Sequence, residues 1–238
     1  MSKKPLASHD GINGPTRHPL RLAVFDLDGT LKVAFSPWRY LHEALGVEDQ
    51  AAVYRARFFN GEIDYWEWAR LDAALWKGVP LARVEELFRR SEYRPGVREV
   101  FALLCQHSVP AAIVSSGLTV HVRQVAADLG VRRTVSNELV VCDGHLTGEV
   151  VVNVTEDSKG AAMEVLRNEF GARPEECLAV GDGTADVDLF EQAGLAIAVC
   201  PRDDHVRRAA DVVIEDGDLH AIIPLLTEHF ALAERPAN

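Results

Sequence analysis

The sequence predicts an α/β protein, a doubly wound parallel sheet with an α-helical insertion after its first strand. Three observations carry this. The apolar run Leu22-Ala23-Val24-Phe25 stops abruptly at Asp26-Leu27-Asp28-Gly29-Thr30, as a buried strand of a parallel sheet stops at a turn. From Pro95 onward apolar runs alternate with amphipathic stretches, the pattern of strand–helix–strand units. Between these regions lies a block, about 37–90, with helical periodicity alone.

Taken in order, residues 1–20 carry Lys3 and Lys4 but no apolar stretch. Pro5, Gly11, Gly14, Pro15 and Pro19 predict a disordered arm there, not a secretory signal. The core is predicted over 21–32 and 93–238, with the insertion over 33–92. Ser36-Pro37 opens the insertion, with proline at a first-turn position. Gly46, Gly61 and Gly78-Val79-Pro80 divide it into about four helices. Its aromatic residues, from Trp38 and Tyr40 to Trp68 and Trp76, read mainly as a small helical core. Beyond it come a helix over 96–107, a strand over 111–115 and a helix over 119–129 stopped by Gly130. Asp143-Gly144 between 139–142 and 145–151 is a two-residue hairpin signal. A helix over 158–170 ends at Gly171, and a strand over 177–180 runs into Gly181-Asp182-Gly183. A helix over 185–193, a strand over 195–199, a short helix near 204–210, a strand over 211–214 and a helix over 218–230 complete a Rossmann-like order.

Composition excludes several function classes. The 238 residues, 47% hydrophobic, suffice for one packed domain plus a smaller one. A formal net charge of −11 without a basic stripe argues against nucleic acid and anionic membranes as partners. No apolar run is long enough to span a bilayer. Cys105, Cys142, Cys177 and Cys200 have no metal spacing and read as buried free thiols, which predicts a cytoplasmic protein.

Asp26 and Asp28 fall at the carboxyl end of the first strand, where open α/β sheets place their chemistry. Alternation puts both side chains on one side of the chain. Adjacent carboxylates repel, so the pair calls for a cation or a shared proton, and Mg²⁺ is the hard ion that suits oxygen ligands near phosphate. A plain Asp-x-Asp-Gly turn is the competing reading of this stretch. An EF-hand loop is not, because neither its later glycine nor its closing glutamate is present. Further on, Ser115 and Asp182 end two other strands, and Lys159 starts a helix between them. Acids, a hydroxyl, a fixed cation and glycine-opened amides together describe a phosphate site around a nucleophilic carboxylate.

Four segments in order, Asp26-Leu27-Asp28-Gly29-Thr30, Ile113-Val114-Ser115-Ser116-Gly117, Asp157-Ser158-Lys159-Gly160 and Gly181-Asp182-Gly183-Thr184-Ala185-Asp186, resemble the motifs of the haloacid dehalogenase-like phosphatases. Within that superfamily the resemblance is to the phosphoserine phosphatase branch, which also carries a hairpin like Leu146-Thr147-Gly148-Glu149. It implies that Asp26 attacks phosphorus and that Asp28 serves as acid, then base. It implies Mg²⁺ on Asp26, the Asp28 backbone carbonyl and Asp182, with Asp186 supporting the metal directly, through Lys159 or through water. Ser115 and Lys159 would grip the phosphoryl group, with Ser116 contributing its amide or replacing Ser115 as the contact. The insertion corresponds to a cap. Where the branch holds its substrate's ammonium with a glutamate, this chain has Phe35. The cap arginine matches Arg70, which reads equally as a solvated helix residue, and Ala185 stands where Asn is usual. These departures imply a small phosphorylated metabolite other than phosphoserine. Phosphoserine itself, a phosphotransferase or mutase, and a non-catalytic binding protein are the alternatives; the complete acid set opposes the last. A monomer or homodimer fits the resemblance.

Overall fold

Strand β1 (Leu22–Phe25) is buried along its whole length and forms the middle of the sheet. The computed structural model describes residues 17–34 and 36–232. The other strands are β2 (Ala111–Leu118), β3 (Arg133–Cys142), β4 (His145–Val151), β5 (Cys177–Gly181), β6 (Leu195–Val199) and β7 (Val212–Ile214). Among the described residues they form one sheet in the order β4-β3-β2-β1-β5-β6-β7, parallel except for the β3–β4 hairpin. Phe25 lies in register with Ile113 on one side and Val180 on the other. The order reverses at β1, so a crevice opens beyond the carboxyl ends of β2, β1 and β5.

Helices α1 (Pro37–Leu45), α2 (Glu48–Phe59), α3 (Tyr65–Ala74) and α4 (Leu81–Arg89) follow β1. The remainder are α5 (Val97–Gln106), α6 (Thr119–Leu129), α7 (Lys159–Phe170), α8 (Val187–Phe190), α9 (Asp204–Ala209) and α10 (Ile222–His229). Alternation along β1 sends Ala23 and Phe25 to one face, with Phe101, Ile197 and Leu226, and Leu22 and Val24 to the other, with Met163 and Phe190. A third apolar cluster joins Leu41, Trp76, Val84 and Phe88 of the insertion to Leu118, Leu139 and Leu146 of the sheet. The hairpin is therefore the platform for the insertion. Gly78 and Leu81 donate backbone bonds to the Leu146 and Gly144 carbonyls at 2.8 and 2.9 Å, and the Leu146 amide returns one to Val79 at 2.9 Å. The two crossings between core and insertion run side by side, with Val33 N–H to Glu92 O and Arg94 N–H to Leu31 O both at 3.0 Å.

Several expectations change. Of the predicted arm, residues 1–16 lie outside the described residues, and 17–20 are part of the fold: Pro19 bridges Ala231 and Leu20 is buried in the core. Strand β3 begins at Arg133, well before the predicted hairpin, and runs parallel to β2. Its first residues, Arg133 and Thr134, are exposed, so no apolar run marks them. The helix predicted over 185–193 is a 3₁₀ turn at Thr184–Asp186 followed by the single-turn α8. The closing helix likewise begins as a 3₁₀ turn, Leu219–Ala221. Only Cys177 is a buried thiol; Cys105 and Cys142 are exposed and Cys200 is half-buried. Among the tryptophans only Trp76 is fully buried, stacked on Trp38 with His42 against it, while Trp66 is exposed.

Trp76→Ala is expected to cost about 3–5 kcal/mol of unfolding free energy, the usual range for a large aromatic deleted from a packed interior. Urea denaturation followed by circular dichroism measures it.

Candidate active site

The crevice is built by how β1 ends. The Asp26 amide donates to the Val180 carbonyl at 2.9 Å, the last rung of the ladder, and the chain then turns so that Leu31 and Lys32 both return to the Leu27 carbonyl. Gly29 makes that turn possible. Its φ is +95°, and a Cβ there would stand 2.3 Å from Asp182 Oδ2. Only a glycine lets the turn lie against the acid.

Lys159, at the start of α7 and 2% exposed, ties the sequence-predicted acids together. Its ammonium donates to Asp26 Oδ1 at 2.7 Å and to Asp186 Oδ1 at 2.6 Å. The Thr30 hydroxyl lies 2.9 Å from Asp26 Oδ2 and 3.1 Å from Asp182 Oδ1. Asp186 Oδ2 accepts the Asp182 and Gly183 amides at 2.9 and 3.0 Å. Both oxygens of Asp186 are thus engaged, one by the lysine and one by the loop after β5. These bonds also explain the tight 3₁₀ turn found where a regular helix was expected.

Burial raises the Asp26 carboxyl to about 6, with Lys159 pulling it down and Asp186 and Asp28 pushing it up. Burial, then repulsion from Asp26 and Asp186, raises Asp182 to about 8. Burial disfavours the Lys159 ammonium, yet Asp186 and Asp26 outweigh it and the net shift is upward. One ammonium therefore faces three carboxylates, those of Asp26, Asp182 and Asp186, whose oxygens lie within 4.8 Å of one another. An oxygen-only donor set with excess negative charge fits a hard divalent cation. The Asp28 side chain is outside this trio.

Asp28 sits instead beside His121, a residue with no sequence motif to mark it. His121 Nδ1 lies 3.1 Å from Asp28 Oδ1, and its ring stacks on Phe88 at 4.5 Å. Both side chains are buried, and neither has an aligned hydrogen bond among the described residues. At the end of β2, Ser115 Oγ accepts the Gly117 amide at 2.9 Å, which leaves its own proton to donate. The Ser116 carbonyl accepts three donors: Trp38 Nε1 at 3.1 Å, Tyr65 Oη at 3.3 Å and Asn137 Nδ2 at 2.9 Å. Asn137, fully buried, also binds the Val154 carbonyl and the Asn153 and Val154 amides. It too has no sequence signal.

Most of these groups, though not Thr30, Phe88, His121 or Asn137, line one cavity of about 360 Å³. The core contributes Asp26, Asp28 and Asp182 just beyond strand ends, Ser115 and Ser116 from β2 and Lys159 from α7, and the insertion contributes Trp38, His42, Tyr65, Trp68 and Asp72, with Arg39 and Arg55. The structure thus brings together every sequence-predicted catalytic, phosphate-binding and metal residue. Arg70 is not among the residues that line the cavity, so of its two readings the solvated helix residue is the one found, not the substrate contact. Its guanidinium forks onto Glu67 at 2.8 and 2.9 Å on the exposed side of α3. Phe35 lies outside the described residues.

The sequence pattern of the haloacid dehalogenase-like hydrolases matches residues 23–191. The chain belongs to that family. It is 32% identical over 204 residues to the phosphoserine phosphatase of Methanocaldococcus jannaschii, covering 85% of this chain and 96% of the relative. With the phosphoserine phosphatase of Streptococcus thermophilus it shares 32% over 208 residues, 87% of this chain and 96% of the relative. A solved structure described as a phospho-aspartyl intermediate analogue of phosphoserine phosphatase superposes with a TM-score of 0.75 at 30% identity, covering 87% of this chain and 99% of that one. A substrate-bound phosphoserine phosphatase complex superposes with a TM-score of 0.74 at 30% identity, covering 86% and 97%. This haloacid dehalogenase-like chain is a phosphoserine phosphatase-like, phosphoric monoester hydrolase.

Gly29→Ala is expected to lower kcat/KM by about 10²-fold, the scale of an ångström-sized misplacement at a reacting centre. Phosphate-release kinetics check this, since the new Cβ would displace Asp182.

Proposed function

We propose that this hydrolase cleaves a small-metabolite phosphomonoester through an aspartyl-phosphate, an acyl phosphate of Asp26, with Mg²⁺ bound by the acids beside it. The observation that carries the reading is the buried Asp26 carboxylate, held by Lys159 and Thr30 at the floor of a cavity large enough for a small metabolite. Asp26 forms a bond to phosphorus as the bond to the leaving alkoxide breaks, and Asp28 supplies the proton that the alkoxide takes up. Asp28 then accepts a proton from water, the water oxygen bonds to phosphorus, and inorganic phosphate leaves Asp26. Ser115 donates its free proton to a phosphoryl oxygen, and Lys159 neutralises charge that would otherwise repel the dianion. Asp26 and Asp182, with the Asp28 backbone carbonyl, would hold the ion, and Asp186, bonded to Lys159 and to the Asp182 and Gly183 amides, would support it. Mg²⁺ supplies screening between the anionic nucleophile and the anionic substrate.

Helices α1–α4 act in this reading as a cap that excludes water and reads the leaving group. Ala185 and the outward Arg70 favour a substrate other than phosphoserine; the names of the relatives favour phosphoserine itself. Cytoplasmic residence, as a monomer or homodimer without nucleic acid or membrane, fits four unpaired cysteines and described helices none of which is long and apolar enough to cross a membrane.

Asp26→Asn is expected to reduce phosphate release by at least about 10³-fold while the protein stays folded. Turnover near the wild-type rate would sink the covalent mechanism. A panel of phospho-amino acids, sugar phosphates and nucleotides tests the substrate, and clear preference for L-phosphoserine refutes a different one. His121→Ala should impair alkyl phosphates about tenfold more than p-nitrophenyl phosphate, because a poor leaving group depends on a well-placed acid. Equal losses would remove His121 from any part in placing Asp28.

A further inference from the structure

The insertion side of the cavity holds a buried acid that the steps above leave unused. Asp72, on α3, is 3% exposed and lines the cavity. His42 Nε2 comes within 3.1 Å of its Oδ2, but Asp72 Oδ1 has no hydrogen-bond donor among the described residues. A buried carboxylate oxygen without a donor calls for an explanation, and a ligand group is one. Burial raises the pKa of Asp72, against the pull of His42 and Arg55. Trp38, Tyr65 and Trp68 supply aromatic walls to the same space. The two arginines that reach it are already paired, Arg39 with Glu43 at 2.8 Å and Arg55 with Glu48 at 2.7 Å. The charge left to be answered at this end is negative, and a carboxylate next to aromatic faces suits an ammonium.

We propose that Asp72 selects the leaving group, and that the substrate is the phosphomonoester of a small amino alcohol whose ammonium lies on Asp72 against Trp38, Tyr65 and Trp68. The inference rests on the phosphatase reading above and assigns the far end of the same cavity. Phosphoserine belongs to the class, but its carboxylate is not required, because each arginine is already neutralised by a glutamate. A purely structural role for Asp72, linking α1 to α3 through His42, makes a different prediction: removing its charge would affect all substrates alike.

The test compares kcat/KM for O-phosphoethanolamine and 2-hydroxyethyl phosphate, which differ at one end by ammonium against hydroxyl. Wild type is expected to favour the amine by about ten- to a hundredfold, the range of a charge-assisted hydrogen bond. In Asp72→Asn that ratio should fall to about one. A wild-type ratio at or below one overturns the proposal without any variant, and so does a ratio that survives in Asp72→Asn. A preference for O-phospho-L-serine over O-phosphoethanolamine of more than about tenfold also overturns it, since it would show a carboxylate being read. If the Mg²⁺-loaded wild type releases no phosphate even from p-nitrophenyl phosphate, the phosphatase reading itself fails, and that result is distinct from a wrong choice of leaving group.

Discussion

The structure depends on one buried ammonium. Lys159 is held between Asp26 at the end of β1 and Asp186 beyond the end of β5, and it sets the distance between those strand ends and the start of α7. Removing one partner from such a group typically costs about 3–5 kcal/mol, because an uncompensated charge stays behind in a low-dielectric site. Close packing around it is specific. A Cβ at Gly181 would lie 2.4 Å from Asp186, and one at Gly160 would lie 2.9 Å from the Asp188 Cβ. Gly29 and Gly181, in two of the four motifs, therefore clear space for Asp182 and Asp186, and Gly160 lets α7 lie against Asp188.

The excess of carboxylate over ammonium follows from the same arrangement. Lys159 answers one charge in full, and Thr30 offers Asp26 and Asp182 a single proton between them. The upward shift at Asp182 comes first from burial and then from repulsion by Asp26 and Asp186, which Lys159 only partly offsets. Clustered acids of this kind are the donor set a hard cation takes, and they are placed for chemistry at some expense to stability.

The parts of this site that were legible in the sequence are those that sit where strands end. A run of buried apolar residues followed by Asp, Ser or Gly-Asp-Gly marks such an end, and three of these ends are brought side by side by ordinary α/β topology. Residues presented by helix faces were not legible in that way. His42, Asp72 and His121 look like isolated polar residues on apolar faces, and Asn137 lies in a strand whose first residues are exposed. Arg70 shows why. Successive helical residues are about 100° apart, so Arg70 and Asp72 point in roughly opposite directions, and a small uncertainty in matching α3 exchanges the inner residue for the outer one. Strand β3 was foreseen only as a hairpin because its parallel half carries no apolar signature.

The Ser116 carbonyl carries a consequence for how the protein works over a full cycle. Two of its three donors, Trp38 and Tyr65, belong to the insertion, and the third, Asn137, belongs to the sheet. The insertion is thereby tied to the Ser116 segment of β2, which lines the same cavity as Asp26. Any opening of the insertion relative to the sheet would break the Trp38 and Tyr65 bonds to Ser116, the neighbour of the proposed phosphate ligand Ser115.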